Sequence, residues 1–187
     1  MTETILNTKL LLVGLLFTGA MFGQGQQRPN FMGSCANLSC DIQNDWLRNN
    51  YLATSVAGAM PEDKYSFKPT PAQQSFGERV VHIASVNVDM MKLLGGKTPA
   101  PAIDEKATSK AAAMAALQKA GDYGLAVLKE FSDQQLQERV DSPPFMGPKS
   151  SRLRLAYFLM THSQDTYGQL VVYLRLNGVT PPASRQP

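Results

Sequence analysis

The chain has 187 residues, of which 43% are hydrophobic and 18% charged, and its formal net charge is +3. This length and composition predict one globular domain with a substantial core, rather than two domains or a disordered chain. The Lys and Arg residues are scattered, without the basic stripe or interleaved aromatic residues of a phosphate-binding surface, which argues against a nucleic acid partner.

Residues 1–25 differ in kind from the rest and have the outline of a secretory signal peptide. Lys9 precedes an uncharged apolar run at 10–22, and small residues near its end offer cleavage points at 20–25. The run is short for a membrane span of about 20 residues, although an uncleaved anchor is the alternative. We expect an exported protein, periplasmic or extracellular, that keeps no stable membrane span after cleavage.

A linker at 26–40 carries the two cysteines of the chain, Cys35 and Cys40. A metal site needs more ligands nearby than this pair provides. In an exported protein we expect a local disulfide, and two free thiols are the alternative.

The first predicted helix covers 42–59, with Asp41 available as its cap and Pro61 stopping it. Beyond Pro61, Tyr65 and Phe67 alternate with polar residues. This alternation predicts an extended, ordered connection that lays two aromatic rings on the helices.

The second predicted helix covers 71–94, because Thr70 can cap it, Pro71 suits the first helical position and Gln73 can complete a capping box. Its apolar stripe consists of Phe76, Val80, Ile83 and Ala84, and a polar track beside it consists of Glu78, His82, Ser85 and Asp89. His82 therefore lies at the edge of the core.

The third predicted helix covers 107–131 and contains Gly121 and Gly124, which weaken a helix but allow a neighbouring helix to approach closely. Ser132 and Gln135 predict a short further turn. A segment rich in proline then crosses to the last helix, and no strand of useful length is expected.

The last predicted helix lies within 155–182. Ser150 or Ser151 can cap its start, and Gly178, after Asn177, can adopt the left-handed conformation that ends a helix. One face of this helix carries Leu155, Leu159, His162, Thr166, Tyr173 and Leu176. His162 is thus expected to point inward among core side chains.

Four amphipathic helices predict an all-α, up-and-down four-helix bundle over 41–184, preceded by the signal peptide and followed by a tail at 185–187. His82 and His162 would then project from two different helices toward one another. Bundle sites are built from such facing side chains.

Two segments carry a resemblance to a known family: MPEDKYSFKPTPAQQSFGERVVHIASVN and HSQDTYGQLVVYLRLNGVTPPAS. Over roughly 42–184 the chain resembles the DinB-like family of bacterial four-helix-bundle proteins, which includes the YfiT-like metalloenzymes. The matching details are Tyr-x-Phe-x-Pro before a helix, a histidine beyond it, and a late histidine followed by Gly-Gln.

The resemblance implies one divalent metal ion, zinc or nickel, held by a histidine of the second helix and two histidines spaced four apart on the fourth. His82 and His162 correspond to the first two ligands. The third position is Thr166, and the chain has no other histidine. We assign Asp165 as the ligand that would take the place of the missing histidine. Asp89, on the same helix as His82, is the alternative carboxylate for that position.

Each of these residues also has a structural interpretation. His82 and His162 can form a partly buried, hydrogen-bonded pair without metal. Asp165 suits a helix-surface carboxylate. Two interpretations are open for Tyr167, Gln169 and Tyr173. They line a pocket at the metal site, or they belong to the core or to the groups that hydrogen-bond to the ligands.

Two functional hypotheses follow. In the first, a divalent metal ion with an open coordination position supports a hydrolase or transferase activity, with no catalytic residue assigned beyond the ligands. In the second, a non-catalytic secreted bundle with a degenerate metal site binds a small ligand or a protein partner. A small-molecule substrate and a homodimer are compatible with the first.

Overall fold

The computed structural model describes residues 33–185, and the predicted signal peptide and its cleavage points lie outside this range. The described chain is mostly helical. Its helices are α1 (Leu38–Ala59), α2 (Phe76–Lys92), α3 (Lys110–Leu128), α4 (Asp133–Gln137) and α5 (Arg152–Leu176). Short 3-10 turns occupy Glu62–Lys64, Pro144–Met146 and Pro182–Ser184.

The four long helices pack in a ring around one hydrophobic core. α1 packs mainly against α3 and α5, and α2 packs mainly against the same two helices. The simple up-and-down order was therefore wrong, because in such a bundle consecutive helices are the principal neighbours. α1 and α2 instead lie on opposite sides of the ring.

α1 begins earlier than predicted. Its cap is Asn37, whose side chain accepts a hydrogen bond from the Cys40 backbone nitrogen, rather than Asp41. The carboxylate of Asp133 accepts hydrogen bonds from the backbone nitrogens of Leu38 and Ser39. These partners satisfy free N–H groups of the first turn, so the helix extends back to include Cys40, while Cys35 lies before its cap.

α2 begins later than predicted, at Phe76. Its cap is Ser75, which forms a complete capping box with Glu78, whereas Thr70 and Gln73 belong to a separate turn. The Phe76 nitrogen donates to the Phe67 carbonyl and the Gly77 nitrogen donates to that of Tyr65. The preceding chain thus folds back over the start of α2 and fixes where it begins.

The connection between α1 and α2 is only partly as expected. It starts with a 3-10 turn rather than an extended segment, and Tyr65 is buried while Phe67 is half-buried. The Tyr65 ring meets Phe76 edge-on with centroids 5.1 Å apart, and the Phe67 ring meets Tyr173 at 6.0 Å. Both aromatic rings therefore pack on the helices, as predicted.

The segment between α4 and α5 contains a strand pair that we did not predict. β1 (Arg139–Asp141) pairs antiparallel with β2 (Lys149–Ser151). Strands of three residues are too short to show an alternating pattern in the sequence. The hairpin delivers the chain to Ser151, which caps α5 as predicted.

α5 ends as expected, since Gly178 follows it with φ +71°. Leu155, Leu159, Thr166 and Tyr173 are buried, but Leu176 is 58% exposed, so the inward face stops one turn before the end of the helix. α3 is shorter than predicted at both ends and is capped by Ser109. Within residues 33–185, none of the helices combines the length and apolar character needed to cross a membrane.

Candidate metal centre

His82 in the middle of α2 faces His162 in the middle of α5, as the sequence predicted. Their Nε2 atoms are 3.3 Å apart, and the ring centroids are 5.1 Å apart with an angle of 64° between the planes. Both side chains are half-buried. The pair therefore lies at the seam between two helices, with one edge toward solvent.

The distance between the two nitrogens suits two different arrangements. Two imidazoles bound to one tetrahedral zinc ion, at Zn–N distances of about 2.0–2.1 Å, place their nitrogens about 3.3–3.4 Å apart. The same separation suits an N–H···N hydrogen bond between neutral rings, at the long end of the range. The residues present thus match the spacing that a divalent ion needs from two of its ligands.

The second ring nitrogen of His162, Nδ1, affects the stability of the metal-bound arrangement and of the hydrogen-bonded arrangement differently. Nδ1 is buried and has no hydrogen-bond partner. A neutral ring that binds metal through Nε2 carries its proton on Nδ1, and metal-bound histidines usually donate that proton to an oxygen acceptor. A buried Nδ1–H without an acceptor costs about 1–3 kcal/mol, so this position weakens metal binding.

Without metal, the same observation selects a tautomer. A buried N–H without an acceptor is the costlier orphan, which favours the tautomer with the proton on Nε2 of His162, where it can be donated to Nε2 of His82. Burial lowers the pKa of His162, and the neighbouring His82 lowers it further, whereas Asp165 acts in the opposite direction. The neutral form of His162 is therefore favoured relative to a free imidazole.

Thr166 occupies the position where the family resemblance places a third histidine. Its side chain is 2% exposed, and its hydroxyl donates to the His162 carbonyl at 3.2 Å within the same helix. Thr166 therefore faces inward as predicted, and its neutral hydroxyl offers a poor ligand.

The two carboxylates considered as substitute ligands have other partners at the surface. Asp165 is exposed and accepts a hydrogen bond from the Gln169 side chain at 2.9 Å. Asp89 is exposed and forms an ion pair with Lys92 at 2.8 Å. Within residues 33–185, no three His, Cys, Asp or Glu side chains are close enough together to hold a metal ion. Asp165 as a ligand remains a prediction.

A polar seam continues on both sides of the histidines. Toward one end, the Tyr173 hydroxyl accepts from Arg79 Nε at 3.1 Å and donates to the Gln74 carbonyl at 2.8 Å. Toward the other, the buried Ser163 hydroxyl donates to Asn87 at 2.8 Å. These pairs show that α2 and α5 run antiparallel and fix their register around the histidines.

Sequence reasoning missed three of these seam residues, Arg79, Asn87 and Ser163. The available signal was the phase of Asn87 on α2, since a polar residue on an apolar face requires a partner. Tyr173 is buried and bonded on both sides of its hydroxyl, while Tyr167 is half-buried against the core and Gln169 is engaged with Asp165.

Comparison with known proteins agrees with this architecture. A family profile described as the DinB superfamily matches residues 43–170, which is more than half of the chain. The chain belongs to the DinB superfamily. The resemblance predicted from the two sequence segments is thereby confirmed.

Solved structures of DinB-like proteins share the fold. A DinB-like protein from Bacillus cereus ATCC 10987 superposes with a TM-score of 0.68 at 18% identity, covering 76% of this chain and 94% of that one. A DinB-like protein from Bacillus subtilis superposes with a TM-score of 0.59 at 22% identity, covering 73% and 91%. The search among curated proteins gave no match. At identities of 18% and 22%, the similarity to these two structures concerns the fold of this chain and not its activity.

Proposed function

We propose that this DinB-superfamily chain binds a divalent metal ion, zinc or nickel, through His82 and His162. The observation that carries the proposal is the 3.3 Å separation of the two Nε2 atoms, which equals the spacing of two imidazoles on one tetrahedral ion. Both imidazoles are half-buried, so one edge of the pair faces solvent.

The proposed site is weaker than a three-histidine site. Thr166 supplies no imidazole, and Nδ1 of His162 has no acceptor that would support the metal-bound ring. A bound divalent ion would act as a Lewis acid and lower the pKa of bound water, which is the chemistry of a metal-dependent hydrolase or transferase.

The second candidate is a non-catalytic bundle in which the histidines form a metal-free, hydrogen-bonded pair and the protein binds a small ligand or a protein partner. The orphaned Nδ1 of His162 favours this candidate, because it assigns the shared proton to a hydrogen bond between the rings. The two candidates differ in one measurable property, which is metal content.

The compartment is part of the proposal. Disulfides persist in oxidising compartments, and Cys35 and Cys40 form one at the start of α1. This bond supports export to the periplasm or the extracellular space. Export in turn favours hydrolysis over chemistry with reduced thiol cofactors, because such thiols are scarce there.

The test is a calorimetric titration of zinc and nickel into the mature chain after chelator treatment. Near-stoichiometric binding that His82→Gln abolishes supports the metal site. Asp89→Asn, which removes a carboxylate from the surface of the same helix, is the matched control and should bind as the parent does. A folded parent protein that binds neither ion favours the metal-free candidate.

A further inference from the structure

A small cavity lies between α1 and α5, whereas the histidine pair lies between α2 and α5. Its volume is about 160 Å³, and it is lined by Asp45, Arg48 and Asn49 of α1 and by Tyr157, Met160, Thr161 and Gln164 of α5. Sites for drug-sized ligands measure about 300–1,000 Å³, so this cavity suits a smaller molecule. Most of the lining side chains are polar or charged.

A nearly buried amide with an unused donor lines the cavity. The Asn49 side chain is 4% exposed, and its Oδ1 accepts a hydrogen bond from Nε2 of Gln164. Its Nδ2 donates no hydrogen bond to any residue of 33–185. In that range the fully enclosed side-chain polar atoms without a partner are limited to Nδ1 of His162, so Asn49 Nδ2 retains an opening, and the cavity provides it. Buried polar groups nearly always have a partner, and here a ligand can supply it.

Asp45 and Arg48 bring two opposite charges to the cavity. Both are exposed, and neither forms an ion pair within the described part of the chain. Opposite charges three residues apart on a helix are neighbours and stabilise it by pairing. Asp89 and Lys92 on α2 have this spacing and do pair, at 2.8 Å. The carboxylate and the guanidinium at the cavity are therefore both free to bind a ligand.

The α5 side of the cavity adds apolar surface. Met160 is 6% exposed and Tyr157 is 41% exposed. Burial raises the pKa of Tyr157, and the carboxylates of Asp45 and Asp41 raise it further, so the phenol stays protonated at neutral pH. A thioether and an uncharged aromatic ring thus face the charged groups of α1, and they suit an aliphatic side chain.

We infer that this cavity binds a free α-amino acid, with its carboxylate on Arg48 and Nδ2 of Asn49 and its ammonium on Asp45. Guanidinium groups bind carboxylates through paired N–H donors. Residues three apart on a helix are separated by about 4.5 Å along its axis, so the two charges of the ligand must be close together. An α-amino acid meets this requirement, whereas the termini of a peptide do not. The inference is independent of the proposed metal binding.

The first experiment is a calorimetric titration of glycine, alanine, valine and leucine into the mature chain, with a chelator present. Amino acids also bind metal ions, so the chelator separates the cavity from the proposed metal site. Saturable binding of one molecule per chain is expected for at least one of the four. Its amide, which lacks the carboxylate, and its N-acetyl derivative, which lacks the ammonium, should each bind about ten-fold more weakly or worse.

The second experiment removes the two charges of the protein singly. Arg48→Gln and Asp45→Asn should each weaken binding of the amino acid about ten-fold or more, and both residues are exposed, so the variants should fold. Arg48→Gln should also lose the preference for the amino acid over its amide. Asp45→Asn should lose the preference over the N-acetyl derivative. Arg175→Gln and Asp89→Asn remove exposed charges elsewhere and should bind as the parent does.

His82→Gln separates this site from the proposed metal site, because it should bind the amino acid as the parent does. Failure of all four amino acids to bind overturns the inference. Equal affinity for the amino acid and its amide, or for the amino acid and its N-acetyl derivative, overturns the assignment to a zwitterion. Parent-like binding by both Arg48→Gln and Asp45→Asn places the ligand elsewhere and also overturns it.

Discussion

Trp46 on α1 donates a hydrogen bond from its indole Nε1 to the backbone carbonyl of Gly121 on α3, at 2.9 Å. The indole is 1% exposed, and its ring lies directly over Gly124, one turn further along α3. A Cβ on Gly124 would lie 2.2 Å from Cζ2 of Trp46. Gly124 therefore lets the largest side chain of the core reach the α3 backbone, whereas a Cβ on Gly121 would meet the side chain of Asn50 on α1 at 2.2 Å.

Gly124→Ala is expected to destabilise the protein. Alanine improves helix propensity by up to about 1 kcal/mol, but displacement of a packed indole costs about 1–3 kcal/mol, so the loss prevails. Gly168→Ala is the matched control, because Gly168 lies on the exposed side of α5 with no atom within 4 Å of the added Cβ. Thermal unfolding should show a lower midpoint for the first variant and an equal or higher midpoint for the second.

The close approach of α1 and α3 was predictable because glycine in a helix otherwise weakens it. The same local logic identified Ser132 with Gln135, Ser151 as a cap and Gly178 as a helix stop. Such caps depend on neighbours within one turn, which the sequence displays. Helical phase placed His162 inward and His82 at the edge of the core, and the family resemblance added the expectation that the two rings face one another.

The start of α2 shows where local signals are insufficient. Thr70 with Gln73 and Ser75 with Glu78 both have the spacing of a capping box. The choice between them depends on backbone hydrogen bonds from Phe76 and Gly77 to the folded-back connection, which are tertiary contacts. The hydrogen bond from Ser85 on α2 to Glu105 was hidden for the same reason, since a loop carries no periodicity that places it against a helix.

The Cys35–Cys40 disulfide that the sequence predicted is present in the structure, and a labelling experiment extends that result to the expressed protein. Thiol labelling of the denatured, exported chain without reductant should modify neither cysteine. Replacement of both by Ser should lower the free energy of unfolding by about 2 kcal/mol or less, because the closed loop is small. Complete labelling of both thiols would contradict the prediction.

Export itself is tested at the N-terminus. Mass spectrometry of the exported fraction should find a chain that begins within or just after residues 20–25, where small residues follow the apolar run. A charged residue placed at Leu15 should retain the protein in the cell by interrupting that run. Detection of intact Met1 in the exported fraction would refute cleavage.

The lowered pKa of His162 predicts a loss of stability in mild acid. Burial and His82 depress the pKa in the folded state, whereas the unfolded ring takes up a proton near pH 6.5. Below pH 6.5 the unfolded state therefore binds more protons than the folded state. The free energy of unfolding consequently falls as the pH decreases from 6.5 toward the pKa of His162 in the folded state. Above pH 6.5 this contribution to stability is fully present. Urea unfolding with a chelator present should show this slope, and His162→Gln should flatten it.

Thr166→His is expected to create tight divalent metal binding. The new imidazole would follow His162 by one helical turn, on the buried face of α5 that meets α2, and would complete three nitrogen ligands with His82. The larger side chain costs about 1–3 kcal/mol in a site packed around threonine, so the variant should unfold at a lower temperature without metal and regain stability with zinc or nickel.

Asp165→His supplies the control for this gain of function. It adds the same imidazole one position earlier, where the side chain is exposed and bonds along the outer surface of α5. Calorimetric titration should therefore show tighter zinc and nickel binding for Thr166→His and no gain for Asp165→His. Equal affinity of Thr166→His and the parent, in a folded variant, would mean that another ligand already completes the site. Equal gains in both variants would mean that the inward face of α5 does not determine metal binding.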